Sequence, residues 1–278
     1  MATNLYPPPR PLSVGETIDL AFRIFRATLL TCLLFAGLAV IASEMATLYK
    51  LATHRALVSL VHERDPIFWL LYLIGWLLAI LLYSAMLLRQ FAVVSSPTPA
   101  VGTEVGTAAR RLPGLVLLWI LLGVASAVWF IPALAFRNSD ILTLMLVVVV
   151  LSIPATWVAI TLSASWPVFL LTGRDAVSSL AQSRRLVSGS WWRLAVIYTV
   201  ALVLLFILYT IAGVIAVMVA VPLAGGDVAV AATLASVIAV ILAAIVAPFM
   251  TALVLAVYGD LSVRREGADL AQRISAAG

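Results

Sequence analysis

Two histidines, His54 and His62, are the first side chains to consider for chemistry, because imidazole is a common acid–base group and metal ligand near neutral pH. They lie in one polar segment together with Glu63 and Asp65. Histidine ligands of zinc are usually separated by roughly three to five residues, which a spacing of eight does not match. We interpret these side chains as solvated loop residues, with a metal site as the less favoured alternative.

A catalytic nucleophile is not indicated either. No serine occurs in the G-x-S-x-G pattern that presents a nucleophile on a sharp turn, and both histidines are confined to one segment. The run Gly225-Gly226-Asp227 is typical of a turn rather than of a phosphate-binding loop. One cysteine, Cys32, excludes an intramolecular disulfide and a cysteine-based metal cluster. We therefore expect no enzyme activity and no cofactor.

Three charged residues lie within or beside apolar stretches, where an ionisable group is costly and often functional. Glu44 is expected near the outer end of the first stretch and Arg89 near the inner end of the second, so the two cannot pair. Asp260 precedes Arg264 by four residues, which predicts an ion pair on the surface. No carboxylate or histidine relay reaches the middle of a span, which argues against a proton-coupled pump and leaves uncoupled transport open.

The elements that would position these residues follow from composition. Hydrophobic residues make up 64% of the 278, charged residues make up 10%, and the mean hydropathy is +1.16. Soluble domains carry about 25% charged residues, so lipid must cover most of this surface. The apolar blocks also exceed the roughly 20 residues that span a bilayer. These features predict an all-α, polytopic transmembrane bundle forming one integral membrane domain.

Six spans are predicted, and the first is interpreted as a retained span rather than a cleaved signal peptide. The last three are about 30 residues long, and Pro154, Pro167 and Pro248 predict kinks within them. A polar tail, 259–278, follows. The spans cover residues 27–48, 67–94, 113–135, 141–171, 192–221 and 228–258.

Basic residues set the expected orientation. All but four of the 17 lie on the side of the N-terminus, and the four exceptions are Lys50, Arg55, Arg64 and Arg137. This asymmetry predicts that both termini are cytoplasmic. The net charge of +5 lies beside the spans, which argues against nucleic acid as a partner. Because Lys50 is the single lysine among arginines, the composition suggests a GC-rich bacterial genome and hence the inner membrane.

Amphipathic helices are predicted on the cytoplasmic side. Ser13 and Glu16 fit a capping box, and an apolar stripe from Val14 to Leu29 predicts an interfacial helix over 13–26, with a simple extension of the first span as the alternative. A second helix over 174–187 begins near Asp175. Similar arginine-bearing segments before the first, third and fifth spans suggest a threefold repeat of helix, span, loop and span.

Arginines at these cytoplasmic segments are the candidate contacts for lipid headgroups or a partner protein. The alternative is ordinary anchoring by the positive-inside rule. The candidates are Arg23, Arg26, Arg110, Arg111, Arg184, Arg185, Arg193, Arg264 and Arg265.

Three blocks of the sequence carry a family resemblance. They are L-S-V-G-E at 12–16 continued by A-F-R-I-F-R at 21–26, the segment 176–193 with S-R-R-L-V-S-G and W-W-R, and the tail Y-G-D-L-S-V-R-R-E-G-A-D-L at 258–270. Together they resemble the bacterial glycerophosphoryl diester phosphodiesterase membrane-domain family. The resemblance implies a fold and a location rather than hydrolysis, because the 278 residues are occupied by the membrane part and the fused catalytic domain of that family is expected to be absent.

We therefore expect a non-catalytic inner-membrane protein that acts as a lipid-associated or envelope-associated scaffold or accessory subunit. Its expected partners are membrane phospholipids and another membrane or cytoplasmic protein. The alternative is a transporter or lipid translocator that uses the kinked spans four to six. A polar cavity at membrane depth would favour that alternative, lined by Ser152, Thr156, Thr161, Ser163 and Ser165.

Overall fold

The computed structural model of the chain describes residues 5–53, 65–95 and 102–277. The described part is helical and has no strand, which confirms the all-α prediction. The helices, in chain order, are α1 Val14–Ser43, α2 Met45–Ala52, α3 Pro66–Ser95, α4 Thr103–Ala127, α5 Ile141–Thr161, α6 Ser165–Thr172, α7 Ala176–Val187, α8 Trp191–Leu223 and α9 Val228–Ala277.

Within the residues that the structure describes, six helical segments are long and apolar enough to cross a membrane, as the sequence predicts. Helices suit this task because every backbone group within a span is hydrogen-bonded internally. The six segments run Val14–Ser43, Pro66–Ser95, Thr103–Phe136, Ile141–Thr172, Trp191–Leu223 and Val230–Arg265.

The first helix differs from the preferred prediction. Instead of a separate interfacial helix over 13–26, α1 runs unbroken from Val14 to Ser43, so the alternative of an extended span describes it. The capping box is present, with the Ser13 amide donating to the Glu16 carboxylate at 2.7 Å. The apolar stripe packs against α9 rather than facing outward: Phe22 and Phe25 contact Phe249 at ring-centroid distances of 4.6 and 6.0 Å. This internal contact keeps the helix straight into the span.

Three other helical segments also begin or end at residues that differ from the predicted span boundaries. The fourth span breaks at residues 162–164, and α6 restarts at Ser165 so that Pro167 lies in its first turn, where a missing N–H costs nothing. The third span begins ten residues before the sequence places it, at Thr103, and ends in a 3-10 segment, Val128–Phe136. The polar tail is not separate, because α9 continues through it to Ala277.

The centre of the bundle is formed by α1, α3 and α9, with α8 packed on α9 and α4 packed on α3. Small residues allow α1 and α3 to approach closely, as is usual between membrane helices. A Cβ atom on Gly75 of α3 would lie 2.2 Å from the Ala42 carbonyl oxygen of α1. In contrast, a Cβ on Gly37 of α1 would meet nothing within 4 Å.

We expect the Gly75→Ala variant to be destabilised by about 1–3 kcal/mol, because the new methyl group must push α1 and α3 apart. Gly37→Ala is the matched control, and it should be neutral or stabilising by up to about 1 kcal/mol, as alanine favours a helix over glycine. The measurement is the melting temperature of both purified proteins in the same detergent. Equal melting temperatures would contradict the close contact.

Candidate functional site

The Asp260 carboxylate is the centre of the densest polar contact in the structure's described part. It is 1% exposed and accepts hydrogen bonds from three directions. Arg193 Nη1 of α8 lies 2.5 Å from Asp260 Oδ2, and Arg264 Nε of α9 lies 3.0 Å from the same oxygen. The Leu12 amide donates to Asp260 Oδ1 at 2.6 Å. We call these residues the Asp260 cluster.

The two arginines of the cluster also bind the chain that precedes α1. Arg193 Nη2 donates to the Leu12 carbonyl at 2.6 Å and to Thr17 Oγ1 at 3.0 Å, and Arg264 Nη2 donates to the same carbonyl. Both the amide and the carbonyl of Leu12 are thereby bonded to α8 and α9. The N-terminal segment, α8 and α9 meet at one end of the bundle, which we call the basic end.

The predicted ion pair between Asp260 and Arg264 is confirmed, but its predicted place on the surface is wrong, since the carboxylate is buried. The N-terminal segment covers it. Tyr6 packs on Phe91 with ring centroids 5.3 Å apart, and a Cβ on Gly259 would lie 2.6 Å from the Tyr6 ring. Because Gly259 has no Cβ, Tyr6 and the N-terminal segment can pack directly on α9.

The chemistry of the Asp260 cluster is structural. Each carboxylate oxygen already accepts two hydrogen bonds, and the arginine donors face protein oxygens. The four lone-pair positions of the carboxylate are therefore all used by donors of the protein. Sequence reasoning missed the cluster, although its members belong to the three blocks that carry the family resemblance.

A second buried pair joins α3 to α4. Arg89 Nη1 lies 3.0 Å from Glu104 Oε1, and Glu104 also accepts from the Gly102 amide at 2.9 Å. The sequence indicates only that Arg89 does not pair with Glu44. A signal for the pair was present, because Arg89 and Glu104 flank one connection between antiparallel helices.

Two more candidate arginines serve the fold. Arg111 of α4 donates to the carbonyl oxygens of Phe169 and Leu170, at 3.1 and 2.6 Å, which lack helical partners near the end of α6. Arg265 donates to the Ser188 carbonyl at the end of α7. With Arg193 and Arg264, four of the nine candidates are therefore bound within the protein.

The other five candidate arginines have exposed side chains. Within the described ranges, none of them has a hydrogen bond or ion pair to the protein, and the Asp19–Arg23 pair allowed by their spacing does not form. We call this group the arginine rim, and it consists of Arg23, Arg26, Arg110, Arg184 and Arg185.

Two members of the rim, Arg184 and Arg185, lie in the last turn of α7. Asp175 caps its start by accepting the Ser178 amide at 3.1 Å, and Gly189, with φ of +81°, follows its end. Hydrogen bonds from the Ser178 hydroxyl and amide hold the pKa of Asp175 below its usual range. This cap therefore stabilises α7 at neutral pH and is lost only as the pH falls through the lowered pKa.

A cavity of about 990 Å³ opens between α3, α4, α6 and α9. Of the five hydroxyl side chains proposed to line one, Ser163 and Ser165 do so, and Ser152, Thr156 and Thr161 do not. Ser152 and Thr161 instead donate to the Val149 and Trp157 carbonyls of their own helix. The cavity is lined mainly by apolar residues.

His54, His62 and Glu63 lie outside the described residues. Among those that are described, no group of three or more His, Cys, Asp or Glu side chains is placed to hold a metal ion.

No protein-family model, curated protein or solved structure matches this chain. Its class rests on the six apolar helices, which make it a multi-pass α-helical membrane protein.

We expect Asp260→Asn to lower the free energy of unfolding by about 3–5 kcal/mol, because Arg193 and Arg264 lose their buried counter-charge. Asp19→Asn is the matched control: it removes one exposed carboxylate from α1 and should leave stability within about 0.5 kcal/mol. Thermal unfolding measures both variants. Hydrogen exchange of the Leu12 amide adds a local measurement, because this N–H donates to Asp260. It should exchange faster in Asp260→Asn but not in Asp19→Asn. Unchanged exchange in Asp260→Asn would contradict the role of the cluster.

Proposed function

We propose that this chain is a non-catalytic protein of the bacterial inner membrane that associates with phospholipids and serves as a scaffold or accessory subunit for envelope partners. The observation that carries the proposal is the arginine rim. Its five exposed guanidinium groups have no partner in the described part of the protein, whereas the other four candidate arginines are all hydrogen-bonded within the protein.

Anionic lipid is the partner that fits such a rim. A guanidinium group binds phosphate through two parallel hydrogen bonds, and an anionic membrane surface attracts each nearby arginine by about 1 kcal/mol. Trp192, which is 79% exposed at the start of α8, is typical of the boundary between headgroups and hydrocarbon. The rim supplies the charge, and Trp192 would supply an interfacial anchor.

The same charges support the proposed orientation. By the positive-inside rule the basic end faces the cytoplasm, and Arg137 stands on the opposite side. Because the segment before α1 and the C-terminal part of α9 meet at the Asp260 cluster, both would then be cytoplasmic. The resemblance to the phosphodiesterase membrane-domain family supports this location, and it is a reason to expect a function without hydrolysis.

A transporter or lipid translocator is the second candidate, and the cavity is what favours it. The mainly apolar wall favours lipid over a polar solute, and its hydroxyl groups are Tyr83, Ser126, Ser163, Ser165, Tyr198 and Thr251. A translocator should accelerate the flipping of fluorescent phospholipid in reconstituted vesicles, as measured by the fraction accessible to an added reductant. Flipping above that of protein-free vesicles would replace the scaffold proposal, and flipping at the protein-free rate would support it.

We expect the double variant Arg23→Glu and Arg26→Glu to lose at least about tenfold in its preference for anionic over zwitterionic phospholipid, since two attractive charges become repulsive. Native mass spectrometry of protein released from mixed-lipid nanodiscs measures the preference. Arg137→Glu, the same change at the opposite end, is the control and should retain it. An unchanged preference in the double variant would overturn the role of the rim.

A further inference from the structure

We propose that the cavity between α3, α4, α6 and α9 binds an acyl chain of a membrane phospholipid. The cavity has a volume of about 990 Å³, at the upper end of the roughly 300–1,000 Å³ typical of ligand sites. Every residue that lines it belongs to a helical segment apolar enough to span the membrane. The cavity therefore lies among the helices that we expect to span the membrane.

The walls favour a hydrocarbon occupant over water. Three tryptophans, Trp76, Trp119 and Trp166, line the cavity together with aliphatic side chains such as Ile80 and Val254. Water needs two to four polar partners to occupy a cavity, and an apolar one stays dry. A dry, empty space of this size also leaves its walls without contacts. A chain from the surrounding lipid supplies those contacts.

An entrance exists on the side of α4. Ile120 and Val124 line the cavity and are also 49% and 61% exposed. Side chains that face both the cavity and the exterior of a membrane bundle border an opening towards lipid. An acyl chain can therefore enter sideways from the bilayer without crossing a polar region.

One buried polar group marks where the lipid's ester region would lie. The Tyr198 hydroxyl is buried and lies near the Ser163 hydroxyl, but among the described residues it has no hydrogen bond of normal length, so a ligand acceptor would stabilise it. Tyr198 lines the cavity, seven residues after the start of α8, or about 10 Å along the helix. This hydroxyl can donate to the ester carbonyl of a phospholipid.

The basic end lies next to this polar group. Ser183 of α7 donates to the Thr161 carbonyl at 3.0 Å, directly before the segment that gives Ser163 to the cavity wall. Arg184 and Arg185 follow Ser183 in the same helix. A phospholipid with its chain in the cavity and its ester at Tyr198 thus has its headgroup on the side of these arginines.

Photocrosslinking tests the proposal with the full-length protein in vesicles that contain phosphatidylglycerol with a diazirine in its acyl chain. After irradiation, adducts are mapped by peptide mass spectrometry. We expect adducts on the cavity-lining segments 76–83 and 250–254. Adducts confined to outward-facing positions, such as Ile153 and Phe206, would overturn the proposal from the wild-type protein alone.

Two glycine variants give a matched comparison. A Cβ on Gly123, which lines the cavity, would meet nothing within 4 Å, and the same holds for Gly213 of α8, which does not line it. We expect Gly123→Trp to reduce cavity adducts about tenfold by filling the space, and Gly213→Trp to leave them unchanged. Equal adduct yields in both variants would overturn the proposal.

Tyr198→Phe tests the ester contact separately, and it should reduce cavity adducts by about fivefold, the effect of one lost hydrogen bond. The same vesicles made with an ether-linked phosphatidylglycerol that carries the diazirine should show no dependence on Tyr198, since an ether lipid lacks the ester carbonyl that accepts the hydrogen bond. The inference rests on the proposed association with phospholipids, but the two can fail separately. Loss of cavity adducts in Gly123→Trp with an intact headgroup preference would support the cavity site, and intact cavity adducts with a lost headgroup preference in the Arg23/Arg26 variant would support the arginine rim.

Discussion

A carboxylate removed from water must be compensated by charge and hydrogen bonds, and the burial of Asp260 is the constraint on which the basic end depends. Two arginines from different helices and the backbone of Leu12 supply that compensation. Because each partner belongs to a different part of the chain, satisfying one carboxylate fixes the positions of the N-terminal segment, α8 and α9 together. Removing one partner of a buried ion pair is costly, because it leaves an uncompensated charge. The cluster therefore favours one arrangement of otherwise similar apolar helices.

Arginine has two separate tasks at this end of the protein. Arg111, Arg193, Arg264 and Arg265 bind protein carbonyls or the buried carboxylate, and their planar, multiply donating groups suit several acceptors at once. The arginine rim has no such partners among the described residues. The internal set thus holds the helix ends in place, and the proposed lipid contacts belong to the external set.

The apolar surface poses a complementary problem. Helices α1, α3 and α9 pack closely, with glycine and alanine at their contacts, whereas α5 and the outer half of α8 leave large side chains exposed. Lipid must cover these faces. In the proposed acyl-chain site, lipid covers an apolar surface inside the bundle as well. The tryptophan and aliphatic groups of the cavity wall give hydrocarbon surroundings similar to those of the bilayer, and Tyr198 adds a hydrogen-bond donor.

The sequence by itself determined the fold class, six spans, the capping box at Ser13 and the start of α7 at Asp175, because these depend on composition and on residues within one or two helical turns. It did not predict that Asp260 is buried, that Glu104 pairs with Arg89, or that α1 is unbroken. Those outcomes depend on groups that are distant in sequence: Asp260 and Leu12 are separated by most of the chain, and only packing brings them together. The division of the nine arginines into those bound within the protein and those without a partner was likewise decided by the tertiary structure, since identical side chains differ only in which carbonyl or carboxylate lies within reach.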